Sequence, residues 1–235
     1  ARYHMMNESL RKEFYGPVWD AGQCEPYSIF LSQGDYPIKG LHYMLSALPA
    51  ILRAYPQTKV YVAGNSLVAY ETLKQKLKIS AYGKYLRSLL KNKGLEERVT
   101  FLGKLDAAQM RDRYLKSSLF VCCSSVENSP NSLGEAMLLG VPCVSADVGG
   151  ISSIFTGDED GILYMGFAGD KTPEGGAGEE ELEAVSGRLA EAVIRMWRDP
   201  GKRDEYCRNA RAHALRTHDR ERNYQKLVEI YEKIL

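Results

Sequence analysis

The residues of this sequence best suited to chemistry lie in a polar loop and in the helix predicted to follow it. Glu127 belongs to the loop, and Glu135 lies eight residues later, inside a helix predicted over about 130–139. Backbone N–H groups at the start of a helix lack partners, so Asn131 and Ser132 offer amides to an anion. Amides for a phosphate and two carboxylates for hydroxyl groups suit a nucleotide joined to a sugar. The spacing alone also allows both glutamates to be ordinary surface acids.

The ends of this helix carry recognisable sequence signals. Ser129 is a favourable N-cap residue, and Pro130 suits the first helical position. Gly140 fits the residue after the helix, and Pro142 prevents its continuation. The apolar run 119–123, which precedes the loop, is typical of a strand buried on both faces of a sheet. Open α/β folds bind ligands where such strands end.

Two other predicted loops on the same edge of the sheet carry groups that suit a ligand. Lys39 opens a predicted helix and either neutralises phosphate charge or is a solvated lysine. Gly149 and Gly150 follow a predicted strand, where paired glycines allow a close approach of a ligand or a tight turn. His42, one turn beyond Lys39, is interpreted as a packing or surface residue.

Strand-like and helix-like patterns alternate along most of the chain. This order predicts an α/β fold, a Rossmann-like parallel sheet with helices on both faces, followed by C-terminal helices. We expect a linker or interdomain segment at 1–27 and a Rossmann-like nucleotide-sugar-binding domain at 28–200. A Gly- and acid-rich stretch at about 157–181 is predicted to be a flexible insertion, and 201–235 is predicted to be helical.

Composition and the absence of common motifs exclude several classes of protein. The 31 basic and 30 acidic residues nearly balance, which argues against a nucleic-acid-binding protein. No stretch approaches the roughly 20 apolar residues of a membrane-spanning helix. The sequence lacks G-x-G-x-x-G, the P-loop motif, H-E-x-x-H and G-x-S-x-G. Five cysteines without a C-x-x-C pair favour buried thiols in a reducing cytosol over disulfides or a zinc site.

The motifs together resemble the C-terminal, donor-binding domain of retaining glycosyltransferases of the GT-B fold, in the family 4 or group 1 class. The glutamate pair and the Gly140-Val141-Pro142 element are similar to that family's pattern, and so are Lys39-Gly40, the strand Val99–Gly103 and Gly149-Gly150. The resemblance covers about 28–164 in consistent order.

The resemblance implies a role for each matching residue. Glu127 would bind hydroxyl groups of the transferred sugar, and Lys39 would act with it in catalysis by holding the diphosphate. Glu135 would bind the ribose diol. The implied donor-binding set is Glu135, Asn131, Ser132, Gly103, Leu105, Gln33, Gly149 and Gly150. Gly103 and Leu105 would lie near the base. Neither a metal ion nor another cofactor is expected, so positive charge and helix amides would stabilise the departing phosphate.

The sequence departs from the family pattern at three places. The arginine that usually lies five or six residues before the lysine is replaced by Gly34 or Gln33. Whether Gln33 takes its place is left open. The usual Gly-Phe-Gly after the first glutamate reads Asn128-Ser129-Pro130, and Ser153 stands where an acid is common.

The resemblance implies transfer of a sugar from a nucleotide-diphosphate sugar to an acceptor hydroxyl, with retention of configuration. A second domain before Ala1 would hold a sugar or lipid-linked acceptor, so the chain alone is expected to be inactive. Two alternatives remain: a GT-B nucleotide-sugar epimerase and a non-catalytic nucleotide-sugar binding module. A cytoplasmic location is expected. An arginine cluster that includes Arg211 either is a solvated face or touches another domain or acidic lipid at the inner face of a membrane.

Overall fold

A computed structural model describes residues 6–66, 80–166 and 178–234. Its sheet has six parallel strands in the order β3-β2-β1-β4-β5-β6. The strands are β1 (Glu25–Leu31), β2 (Lys59–Ala63), β3 (Val99–Gly103), β4 (Ser117–Cys122), β5 (Cys143–Asp147) and β6 (Ile162–Met165). This is the strand order of a doubly wound Rossmann-like sheet, so the predicted fold class is confirmed.

The helices of the described chain form two layers. They are α1 (Leu41–Ala54), α2 (Ala81–Asn92), α3 (Ala107–Lys116), α4 (Asn131–Leu139), α5 (Glu179–Arg198), α6 (Pro200–Thr217) and α7 (Arg220–Ile234). Helix α1 packs against α2 and α5, whereas α4 packs against α3 and α6. The two layers cover opposite faces of the parallel sheet, which buries β4 along its whole length.

The central strands pair in register, and their apolar side chains form the core. Ile29 of β1 lies opposite Val60 on one side and Leu119 on the other. Beneath them, Tyr114 of α3 packs edge-to-face against Phe30, with ring centroids 4.9 Å apart. Because β1 and β4 are adjacent and parallel, the loops that follow them meet at the same edge of the sheet.

The segment before β1, predicted as a linker, is packed into the domain instead. Phe14 is fully buried in the core. The backbone N–H of Trp19 donates to the Leu139 carbonyl at 2.8 Å, and its indole donates to the Ser117 carbonyl at 2.8 Å. Strand β1 also begins at Glu25, earlier than predicted. The large aromatic side chains of this segment bury apolar surface against the domain, whereas a mobile linker would leave such surface exposed.

The second half of the chain corrects one further expectation. The predicted flexible insertion at about 157–181 contains β6, which pairs with β5, and α5 already begins at Glu179. Residues 167–177 of that stretch lie outside the described residues. Near the C-terminus, α6 ends at Thr217 and α7 begins at Arg220, with His218 buried at the junction. Among the described helices, none has the length and apolar character to cross a membrane.

Candidate functional site

A cavity of about 450 Å³ lies at the edge of the sheet where β1 and β4 end. The predicted site residues that line it are Gln33, Lys39, Glu127, Asn131, Ser132 and Glu135. They come from the loops after two neighbouring strands and from the first turns of α4. The fold therefore brings both predicted carboxylates, the predicted cation and the predicted helix start to one cavity.

Glu127 is held by two donors that end on the same oxygen. The Lys39 ammonium lies 2.6 Å from Oε1, and the Ser124 hydroxyl donates to Oε1 at 2.6 Å. The Glu127 side chain is 9% exposed and that of Lys39 is 26% exposed. Burying a carboxylate costs free energy unless hydrogen bonds and an opposite charge compensate it, and these two donors do so. The arrangement presents an ion pair with fixed geometry to whatever occupies the cavity.

The turn that carries Lys39 is bonded directly to the loop after β4. The Ser125 N–H donates to the Ile38 carbonyl at 2.8 Å, and the Cys123 thiol donates to the Gly40 carbonyl at 3.2 Å. Gly40 has φ +75°, and a Cβ there would lie 1.8 Å from the Cys123 carbonyl oxygen. Only glycine tolerates both that conformation and that contact. The Lys39-Gly40 pair thus combines a cation with the residue that lets the two loops touch.

Glu135 lies inside α4 and is bound by a residue that the sequence did not indicate. Both Nε and Nη2 of Arg11 donate to its Oε1, at 2.9 and 2.8 Å. The pKa of Glu135 is raised, chiefly by burial, and the hydrogen bonds and charge of Arg11 offset only part of that rise. The carboxylate is therefore a buried acid that depends on a cation from the N-terminal segment.

The start of α4 differs from the prediction in its cap. Pro130, with ψ 105°, is the N-cap residue, no side chain caps the helix, and the helix begins at Asn131. Ser129 is therefore not the N-cap, because the extended Pro130 lies between it and the helix. The Asn131 and Ser132 N–H groups have no partner within the described residues. They remain available to an anion at the positive end of the helix dipole. The predicted C-terminal glycine, Gly140, adopts the left-handed conformation.

The paired glycines lie behind Glu127 rather than on the cavity wall. The Gly150 N–H donates to the Glu127 carbonyl at 3.1 Å. A Cβ on Gly149 would lie 2.0 Å from that carbonyl oxygen, and one on Gly150 would lie 1.7 Å from the Asn128 carbonyl oxygen. Both positions thus require glycine, because the loop after β5 packs closely against the backbone that carries Glu127.

Other predicted residues are at the same sheet edge or beside it. Gly103 ends β3 with φ +74°, and its carbonyl accepts from the Gly64 N–H at 3.0 Å. Leu105 is half-buried against the core. Neither residue lines the described cavity. Gln33 does, but its neighbour Gly34 has no room for a side chain, because a Cβ would lie 2.3 Å from Val62. An arginine at position 34 would not fit this packing.

Two residues that hold the carboxylates, Ser124 and Arg11, were not predicted from the sequence. Ser124 directly follows the buried strand, so its place at the sheet edge was a usable signal. Arg11 gave none, because 124 positions separate it from Glu135. Another arginine, Arg211, was predicted to be part of a solvated face; it is half-buried and donates to the carbonyls of Leu138 and Pro17.

Neither a second cavity nor the possible metal ligands among the described residues form an alternative active site. A cavity of about 570 Å³ lies near the opposite end of α4 and is lined by residues that include Trp19, Gly140 and Cys207. It lies away from the carboxyl edge of the sheet. Within residues 6–66, 80–166 and 178–234, no three His, Cys, Asp or Glu side chains are grouped as a metal site. All five cysteines are free.

Comparison with known proteins supplies the family. The model of the family described as glycosyl transferases group 1 matches residues 19–167. A curated relative, the phosphatidyl-myo-inositol mannosyltransferase of Mycobacterium leprae, is 25% identical over 208 residues. That match covers 88% of this chain and 46% of the relative, so the chain spans about half the relative's length.

Two solved structures show the same fold. The HepE protein of Anabaena, in complex with UDP, superimposes with a TM-score of 0.68 at 24% identity over 88% of this chain and 49% of that chain. The C-terminal domain of a group 1 glycosyl transferase family protein from Francisella tularensis superimposes with a TM-score of 0.64 at 19% identity. This match covers 88% of our chain and 96% of that domain.

Proposed function

Since this chain belongs to the group 1 glycosyl transferases, we propose that it binds a nucleotide-diphosphate sugar in the cavity at the carboxyl edge of the sheet. In this proposal the chain is the donor-binding half of a longer enzyme that transfers the sugar to an acceptor hydroxyl. The observation that carries it is the convergence of Lys39, Glu127, Glu135 and the α4 amides on one cavity. These groups match the three parts of such a donor.

We assign the diphosphate of the donor to the start of α4. The Asn131 and Ser132 N–H groups point from the positive end of the helix and lack partners in the described chain. Lys39 lines the same cavity and carries the positive charge. As the bond to the sugar breaks, negative charge grows on the departing phosphate, and these groups stabilise it most at that point. Lys39 therefore contributes to the rate as well as to binding.

The two carboxylates are assigned to hydroxyl groups at opposite ends of the diphosphate. Glu135 lies deeper in the helix, is largely buried, and accepts hydrogen bonds from the ribose diol. Glu127 lies on the loop beside Lys39 and accepts hydrogen bonds from hydroxyl groups of the transferred sugar. A carboxylate accepts hydrogen bonds at both oxygens and gives none, so it suits hydroxyl donors. Glu127 thereby orients the sugar next to the cation that receives the leaving phosphate.

Uridine is the base proposed for the first tests. HepE, whose fold this chain shares, has been solved with UDP and with UDP-glucose. We propose that the transfer keeps the anomeric configuration, in line with the retaining enzymes that the motif set resembles. The anomeric configuration of the product, read by NMR from a longer protein that carries the remaining half, tests this part.

The chain alone is proposed to bind the donor without transferring the sugar. It spans about half of the curated relative's length, and the acceptor would be held by the other half of such an enzyme. Positioning an acceptor hydroxyl next to the anomeric carbon supplies several kcal/mol of the barrier reduction. Turnover by this chain and by the longer protein, compared under the same conditions, measures that contribution.

Mapping of UDP binding on the chain by backbone amide NMR tests the proposal. We expect saturable shifts at Lys39, Asn131 and Ser132, which surround the site cavity. The second cavity, around Trp19 and Arg211, serves as an internal control and should show no saturable shift. Absence of binding at millimolar UDP, or shifts confined to the second cavity, would overturn the proposed function.

A further inference from the structure

The contact between Arg11 and Glu135 joins the segment before β1 to the helix that carries one of the site carboxylates. Nε and Nη2 of Arg11 both donate to Oε1 of Glu135, at 2.9 and 2.8 Å. Within the described residues, no donor reaches Oε2. One oxygen is thus saturated by the guanidinium while the other remains for a ligand in the cavity that both residues line.

The half-exposed guanidinium lies over one aromatic ring, and further contacts of that ring lead back to α4. It lies 5.0 Å from the centroid of the Phe14 ring, which is fully buried. Phe14 packs edge-to-face on Tyr114, with ring centroids 6.0 Å apart. The Tyr114 hydroxyl donates to the Ser132 carbonyl at 2.9 Å, in the first turn of the helix that carries Glu135. The cation and the carboxylate are therefore positioned by one connected set of contacts.

The backbone around Arg11 is fixed independently at the junction of α6 and α7. The Glu8 carbonyl lies 2.7 Å from Nδ1 of His218. The Tyr15 hydroxyl donates to the His218 carbonyl at 2.6 Å and accepts from the Leu10 N–H at 3.2 Å. Arg11 lies between these anchors, so its side chain starts from a backbone with restricted freedom. Less conformational entropy is then lost when the ion pair forms than if the backbone of this segment were free.

The electrostatic setting explains why Glu135 requires a cation. Burial raises its pKa, the nearby Glu13 raises it further, and Arg11 lowers it. Burial raises the pKa of the nearby Tyr114 hydroxyl well above its usual value and lowers the pKa of His218, so burial favours the neutral form of both groups. Arg11 is thus the charged donor on Glu135 among the described residues. A protonated Glu135 would offer fewer acceptor sites to hydroxyl groups.

We propose that Arg11 is a positioning residue for Glu135, which it keeps ionised and oriented so that the second carboxylate oxygen accepts from the ribose hydroxyls of the donor. This inference rests on the proposed function, because it assumes that Glu135 binds ribose. It assigns a part of donor binding to the N-terminal segment, outside the motif-bearing loops. Arg11 acts through Glu135 and requires no contact with the donor.

The test is the pH dependence of UDP-glucose binding by calorimetry between pH 5 and 8. UDP-glucose is chosen because its diphosphate is esterified at both ends and stays fully charged over this range. We expect Arg11→Ala to weaken binding at least tenfold at pH 6, with much of the affinity recovered at pH 8. Arg11→Lys should restore most of the affinity at pH 6. His218 is present in every variant, so its own titration cancels in the comparison.

Three controls separate the possible failures. Lys12→Ala changes the exposed neighbouring cation and should leave both affinity and pH profile unchanged. Thermal unfolding shows whether each variant is folded at the temperature used. If wild type binds UDP-glucose and Lys39→Ala weakens that binding, the proposed function stands. An Arg11→Ala profile parallel to wild type, or tighter binding by that variant, then overturns the role of Arg11 alone. No binding by wild type instead contradicts the proposed function.

Discussion

The Lys39 ammonium and the Glu127 carboxylate lie 2.6 Å apart, although 88 positions separate them in the sequence. The contact exists because β1 and β4 are neighbouring parallel strands whose following loops meet at one edge of the sheet. Each group compensates the charge of the other. A donor with a negative diphosphate and neutral hydroxyls can use both groups without separating them, since an ammonium has three protons to donate.

Replacement of Lys39 by methionine tests its role at the phosphates. Lys39→Met removes a charged donor worth about 1.5–3 kcal/mol, so UDP affinity should fall about ten- to hundredfold. Uridine, which has no phosphate, should bind almost as before. Calorimetry with both ligands measures the difference, and Lys91→Met, at an exposed position of α2, is the matched control. Equal losses for UDP and uridine would show that Lys39 is not a phosphate ligand.

Gly40→Ala should destabilise the fold, because the new Cβ meets the Cys123 carbonyl oxygen and the backbone has φ +75°. The left-handed conformation alone costs about 1–2 kcal/mol, and relief of the clash adds to it. We expect urea unfolding to report a loss of about 2 kcal/mol or more. Gly187→Ala, in the exposed middle of α5 with open space around it, should instead raise stability by about 0.5–1 kcal/mol. A neutral Gly40→Ala would contradict the close approach of the two loops.

The half-buried imidazole of His42 predicts acid sensitivity of the fold. Burial lowers its pKa from 6.5 to about 4, so at pH 5 the unfolded chain binds a proton that the folded chain does not. Stability from this group is therefore complete above pH 6.5 and is lost as the pH falls towards 4. The loss at pH 5 is about 2 kcal/mol.

His42→Phe removes this titration and retains a ring near Tyr43 and Tyr82, which His42 contacts. Urea unfolding at pH 7.5 and pH 5 should therefore show a smaller stability loss in the variant than in wild type. The lowered pKa of His218 acts in the same direction, but it is common to both proteins. Identical losses in the two proteins would mean that His42 is not buried as neutral imidazole.

Local patterns predicted the elements that bring the site together, and distant contacts escaped prediction. The apolar run at 119–123 and the alternating order of elements were enough to place Lys39 and Glu127 at one sheet edge. The prediction of Ser129 as the N-cap was wrong, because the proline that follows it has an extended backbone. Arg11 could not be found, since its contact with Glu135 depends on how a segment without regular pattern packs across the finished domain.

Calorimetric titration of UDP and UDP-glucose into Glu135→Gln and Glu127→Gln tests the central claim most directly. If Glu135 binds ribose and Glu127 binds the sugar, Glu135→Gln weakens both ligands about tenfold or more. Glu127→Gln should weaken UDP-glucose by a similar factor and leave UDP within about threefold of wild type. Glu97→Gln, an exposed acid outside the cavity, should change neither affinity. Equal weakening of both ligands by Glu127→Gln, or no effect of Glu135→Gln on UDP, would contradict the assignment of the two carboxylates.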